Sequence, residues 1–226
     1  MGKTATPNQK TNSITPLLGR PIEEARPQII RPVKILAFAG SLRKNSYNEL
    51  LLQAAAKLLP ASAQLEIVSI DEIPLYDQDR EVLGIPQSVK LFKEKIESAD
   101  AILIATPEYN HSYPGVLKNA IDWASRPYGH NSFNGKPVAV MSAAPGLFGG
   151  VSAQDHLKQV LLALNMQVVA QPAVIVNSVH EKFDMTHELT DADTKQFMKQ
   201  LLANLVNLTR RLTQSEECWQ EASLST

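Results

Sequence analysis

The sequence predicts a single parallel α/β sandwich, a five-stranded sheet with helices on both faces. Short apolar runs alternate along the chain with segments of helical period. The first run, Val33–Ala39, is apolar throughout except for Lys34, as in a strand covered on both faces. The chain of 226 residues suits one such domain with a tail better than two full domains.

Gly40 closes the first strand, and Leu51, Ala55, Leu58 and Leu59 then recur at helical spacing. Leu65–Ile70 is expected to be the second strand. Val89, Phe92, Lys93 and Ile96 mark the next helix, and Ala101–Thr106 the third strand. Pro114 suits the first turn of a helix whose inner face carries Leu117, Ala120, Ile121 and Ala124. Pro137–Ala143 is the fourth strand, and Leu157, Val160, Leu161 and Leu164 define the fourth helix. Val168–Val176, broken at Pro172, is the fifth strand. A last helix, with Thr190 as its expected cap, carries Phe197, Leu201, Leu205, Leu208 and Leu212. Residues 1–32 are polar, aperiodic and interrupted by prolines, which predicts a flexible tail. The domain is expected to span 33–214, followed by a short tail over 215–226.

Composition removes several classes. A net charge of -1 offers no basic field for nucleic acid or an anionic membrane, and it argues against a strongly acidic electron carrier. The single cysteine, Cys218, excludes an internal disulfide and clusters needing several thiolates, so a reducing compartment, the cytoplasm, is expected. No apolar stretch approaches the roughly 18 residues of a membrane helix, and no secretory h-region is present. The five histidines (His111, His130, His156, His180, His187) lack metal-ligand spacing. No Ser-His-Asp or Cys-His set stands out, so no catalytic side chain is assigned. Asp77 and Asp79 are expected in a solvated loop, Pro74–Arg80.

Ligands on such sheets sit beyond the carboxyl ends of the strands. After strand one, Gly40-Ser41-Leu42-Arg43-Lys44-Asn45-Ser46-Tyr47-Asn48 leads into a helix. A helix amino end suits a phosphate, Ser41, Ser46 and Asn48 add neutral donors, and Arg43 adds a charge able to grip two oxygens. Neither the spaced glycines of a dinucleotide fingerprint nor a P-loop ending is present, so a phosphate monoester fits better. Ser46 with Glu49 also reads as a capping box, which needs no ligand, and Glu49 should point away from a phosphate. After strand three, Thr106-Pro107-Glu108-Tyr109-Asn110-His111-Ser112-Tyr113-Pro114-Gly115 offers backbone N–H groups beside an aromatic ring, a surface for a flat heterocycle. After strand four, Ser142–Gly150 is glycine-rich, which serves either close approach of a ligand or a relaxed loop.

These three stretches resemble the NADPH-dependent FMN reductase family, with its quinone, chromate and azo-dye reductases of flavodoxin-like fold. The longest matching stretch runs from Thr106 through Trp123, and the resemblance extends from about Val33 to about Val176. It implies FMN as cofactor, NADPH or NADH as donor and a small-molecule acceptor, with hydride passing in and out by a ping-pong scheme. It also implies a homodimer or homotetramer. By the same resemblance Ser41, Arg43, Ser46 and Asn48 bind the FMN phosphate. Pro107, Glu108, Tyr109 and Asn110 bind the flavin ring, with Ser142 and Gly146 flanking it. Two other readings stand beside this one: a non-catalytic flavin carrier or interaction module, and a transferase using the first loop for a substrate phosphate.

Overall fold

The computed structural model describes residues 31–224, with side chains described to residue 215. Most of the expected tail therefore lies outside the described residues. Its last part, Arg31, makes a two-pronged hydrogen bond to the Asp100 carboxylate at 2.6 and 2.8 Å.

Strands β1 (Val33–Ala39), β2 (Ala63–Val68), β3 (Ala101–Thr106), β4 (Pro137–Ala143), β5 (Gln167–Val168) and β6 (Val174–Val176) form one sheet. Its order is β2-β1-β3-β4-β5, with β6 also on β4, and every pairing is parallel. Alternate residues of the same strand enter opposite cores. Ile35, Ala37, Leu103 and Met141 join one apolar layer with Leu51 and Leu201. Leu36, Phe38, Ile102 and Ile104 join the other with Phe92, Leu117 and Leu157. This is why β1, β3 and β4 read as near-continuous apolar runs, with the exposed Lys34 the exception in β1. Helices α1 (Tyr47–Leu58) and α6 (Ala192–Leu224) cover the first face; α3 (Gln87–Ser98), α4 (Gly115–Ala124) and α5 (Val151–Ala163) cover the second. Among the described residues, no helix is long and apolar enough to cross a membrane.

The structure corrects several expectations. Edge strand β2 begins two residues earlier than predicted, because Leu65 pairs with Ile35 and the half-exposed strand gives little apolar signal. The fifth strand is interrupted at Pro172 as expected, and only its ends are sheet: β5 pairs with the start of β4 and β6 with its end, Pro172 having no N–H for the ladder. Asp77 is not in a plain loop. It caps a short helix, α2 (Gln78–Leu83), by accepting the Asp79 N–H at 2.9 Å. That helix has no buried residue and so no readable period. Pro114 occupies the cap of α4 and not its first turn.

The last helix is capped by Asp191, not Thr190. Asp191 Oδ2 accepts from the Thr194 N–H at 2.9 Å and from its hydroxyl at 2.6 Å, whereas the Thr190 hydroxyl donates to the Lys182 carbonyl. The helix then continues to Leu224, past position 214. The Lys182 ammonium, 2.6 Å from Oδ1, and the two Thr194 donors hold the Asp191 carboxyl down to about 2 against the opposing effect of burial.

A carboxyl depressed in the folded state contributes stability above its unfolded value near 4, and that contribution fades as pH falls toward about 2. Asp191→Ala is expected to cost about 1 kcal/mol at pH 7, or about 2–4 °C in Tm, and Thr190→Ala clearly less. Thermal melts between pH 7 and pH 2.5 check this: the gap between wild type and Asp191→Ala should close below pH 4.

Candidate active site

The first, third and fourth strands are neighbours in the sheet, so the loops that follow them share one carboxyl edge. Side chains bind these loops together. The Asn48 amide donates to the Ala143 carbonyl and accepts from the Ala143 N–H, both at 3.0 Å and both buried. The Glu108 carboxylate accepts from the N–H of Ala153, the third residue of α5, at 3.1 Å, where the positive end of the helix dipole favours an anion. The Ser142 hydroxyl donates to the Gly149 carbonyl at 2.7 Å and accepts from Gln154 Nε2 at 3.0 Å.

In the first loop Arg43 is exposed, and among the described residues no carboxylate pairs with it. Its guanidinium lies over the Tyr47 ring, 5.6 Å from the centroid. Ser41 is half-buried and its Oγ accepts from the Arg43 N–H at 3.4 Å. Ser46 is buried and caps α1 through the Asn48 N–H at 3.3 Å, while its own N–H donates to the Arg43 carbonyl. Ser46 therefore caps the helix through the second N–H and not the third, so neither arm of the expected capping box with Glu49 is formed among the described residues.

The middle loop is a tight two-residue turn. Tyr109 and Ser112 exchange both backbone hydrogen bonds, at 2.8 and 3.0 Å, and Asn110 and His111 at the tip take φ of 51° and 60°. This turn uses the Tyr109 N–H, leaving those of Asn110 and His111 at the tip. Tyr109 is 53% exposed, Asn110 is exposed, and Pro107 is buried. His156 Nδ1 stands 3.1 Å from Ser112 Oγ, which brings to this loop a histidine whose sequence position gives no hint of it.

In the last loop Gly149 and Gly150, with φ of 60° and 95°, have no room for a side chain: Gly149 lies against β6 and the residue after it, and Gly150 against the Ser142 side chain. A Cβ on Gly149 would stand 2.7 Å from Ile175 Cγ2, and one on Gly150 2.8 Å from Ser142 Cβ. Packing explains these two glycines. Gly146, by contrast, is exposed and faces open space beside Leu147 and Phe148, both largely exposed.

The predicted residues therefore fall into two groups at one edge. Ser41, Arg43, Tyr109, Asn110 and Gly146 face outward. Pro107 is buried, and Ser46, Asn48, the Glu108 carboxylate and Ser142 turn inward and fix the loops. The donor set fits a flavin mononucleotide: one unpaired guanidinium and a hydroxyl at a helix amino end, and, after the adjacent strand β3, an aromatic turn with free N–H groups.

The strand order β2-β1-β3-β4-β5, with this site at the switch point between β1 and β3, defines a flavodoxin-like protein. Residues 33–181 match the model of the NADPH-dependent FMN reductase family, and the chain belongs to that family. It is an oxidoreductase working with FMN and NAD(P)H. It is 45% identical over 180 residues to an NAD(P)H-dependent FMN reductase of Pseudomonas aeruginosa, covering 80% of this chain and 97% of that protein. It is 42% identical over 186 residues to an NAD(P)H:quinone oxidoreductase of Solanum tuberosum, covering 80% and 94%. Among solved structures, the flavoenzyme NAD(P)H:(acceptor) oxidoreductase FerB of Paracoccus denitrificans superposes with a TM-score of 0.73 at 37% identity, covering 79% of this chain and 98% of that one.

Removing the Asn48 amide strands two buried backbone groups at Ala143, each costing about 1–3 kcal/mol. Asn48→Ala is expected to lower stability by about 2–4 kcal/mol in urea unfolding, while Ser41→Ala stays within about 0.5 kcal/mol of wild type.

Proposed function

We propose that this chain is a quinone reductase in which NAD(P)H and the acceptor use one flavin face in turn. The observation that carries the reading is the Arg43 guanidinium, free of any carboxylate among the described residues, at the amino end of α1 and on the same edge as the exposed Tyr109 turn. When bound, FMN supplies a two-electron carrier between the nicotinamide and the acceptor. Arg43 and Ser41 grip the phosphate, with Ser46 and Asn48 shaping the helix start behind them. Tyr109 and Asn110 meet the ring, Pro107 and Glu108 hold their turn, and Gly146 and Ser142 border the far side. No side chain acts as acid or base; exposed N–H groups of the turn stabilise negative charge on the ring.

Quinones are the acceptors of choice, in keeping with the named activity of the Solanum tuberosum relative; chromate, azo dyes and free flavin are further candidates for the same open face. The working form is a cytoplasmic homodimer or homotetramer, and residues 33–214 carry the site. A single face shared by donor and acceptor requires parallel lines when initial rates are plotted at several quinone concentrations. Replacing Tyr109 by alanine should slow both half-reactions in stopped-flow. Intersecting lines would mean that both substrates are bound together and would refute the shared face.

A further inference from the structure

We infer that Tyr47 sets the preference of the first loop for a phosphorylated flavin, by holding the Arg43 guanidinium in place without neutralising it. The inference rests on the reading of that loop as the phosphate site. Tyr47 is the first residue of α1, one position past the cap. Its ring carries Arg43 on one side, at 5.6 Å, and packs on Phe183 at a centroid distance of 5.9 Å. Phe183 is fixed in turn by a bridge to the buried Leu189, and both rings rest on the apolar layer beneath α1 and α6. The aromatic ledge is therefore rigid although Arg43 itself is exposed.

The nature of this restraint matters. A carboxylate holding Arg43 would compete with a phosphate for the same donors, whereas a ring face attracts the cation and leaves its N–H groups free. An arginine already ordered loses less rotamer freedom on gripping an anion. The backbone is held as well: the Arg43 N–H donates to Ser41 Oγ and its carbonyl accepts from the Ser46 N–H. Lys44, the adjacent cation, has no ring beneath it among the described residues. Tyr47 is thus a positioning residue, acting through Arg43, and its effect should appear only with ligands that carry the phosphate.

The test titrates the full-length chain, stripped of flavin, with FMN and with riboflavin, following flavin fluorescence. Tyr47→Leu should weaken FMN about two- to fivefold and leave riboflavin unchanged, as expected for a partly exposed cation–π contact. Tyr47→Phe, which keeps the ring, should match wild type. In an Arg43→Ala background, Tyr47→Leu should have no further effect. Equal weakening of FMN and riboflavin by Tyr47→Leu would make the role merely structural and overturn the inference. So would a loss in Tyr47→Phe matching that in Tyr47→Leu, which would make the hydroxyl a direct ligand. If Arg43→Ala collapses the FMN preference and Tyr47→Leu leaves it intact, the inference falls while the phosphate site stands. If Arg43→Ala leaves the preference untouched, the phosphate site itself falls.

Discussion

At the end of β4 the backbone of Ala143 reaches past its neighbour. Strand β3 has already turned away at Pro107, which has no N–H to continue the ladder, and the last residue pair between the two strands is Thr106 with Ser142. The Ala143 N–H and carbonyl are taken instead by the two ends of the Asn48 amide, a side chain 95 residues earlier in the chain. One amide thus does the work of a missing strand, and in doing so fixes the amino end of α1 against the centre of the sheet. Position and direction of the first loop follow from that contact: Ser46 caps the helix two residues before Asn48, and Arg43 and Tyr47 stand at its mouth.

The distribution of charge at this edge follows the same logic. The one carboxylate of the middle loop, Glu108, is turned down onto the amino end of α5. There it stabilises a helix terminus and does not oppose a phosphate. Ser142 and Gln154 tie the glycine-rich loop to β4 and β6 from within. With the inward-facing polar groups engaged in holding loops, the outward surface retains a guanidinium, a hydroxyl, exposed aromatic and apolar side chains and unpaired N–H groups at a tight turn. Such a surface is suited to a planar ring with a charged tail, and family membership supplies the cofactor that has that shape.

Much of this architecture is legible in the sequence, for a physical reason. Strands β1, β3 and β4 are covered on both faces, so each is a near-continuous apolar run, with ends marked by Gly40, Pro107 and Pro137. Elements with weak burial are not legible in the same way. Edge strand β2 drifts by two residues, and α2 escapes notice because none of its side chains is buried. The cap of α6 is misread by one residue because Thr190 and Asp191 are both good caps and only the tertiary partner Lys182 distinguishes them. The site residues divide similarly. Their types and their loops are apparent from the chain, but the directions taken by Glu108 and Asn48 depend on partners 45 and 95 residues distant. Tyr47 and His156 become visible only when Arg43 and Ser112 are brought beside them.

The claim on which all of this depends is that the carboxyl edge of β1, β3 and β4 holds one flavin mononucleotide per chain. The direct measurement is to purify the protein with its flavin, release the chromophore by heat, and determine its identity and amount by chromatography against protein concentration. FMN is expected at a ratio near one per chain. Release of FAD, whose pyrophosphate the first loop has no fingerprint to hold, or failure to retain any flavin even after incubation with FMN, would contradict it.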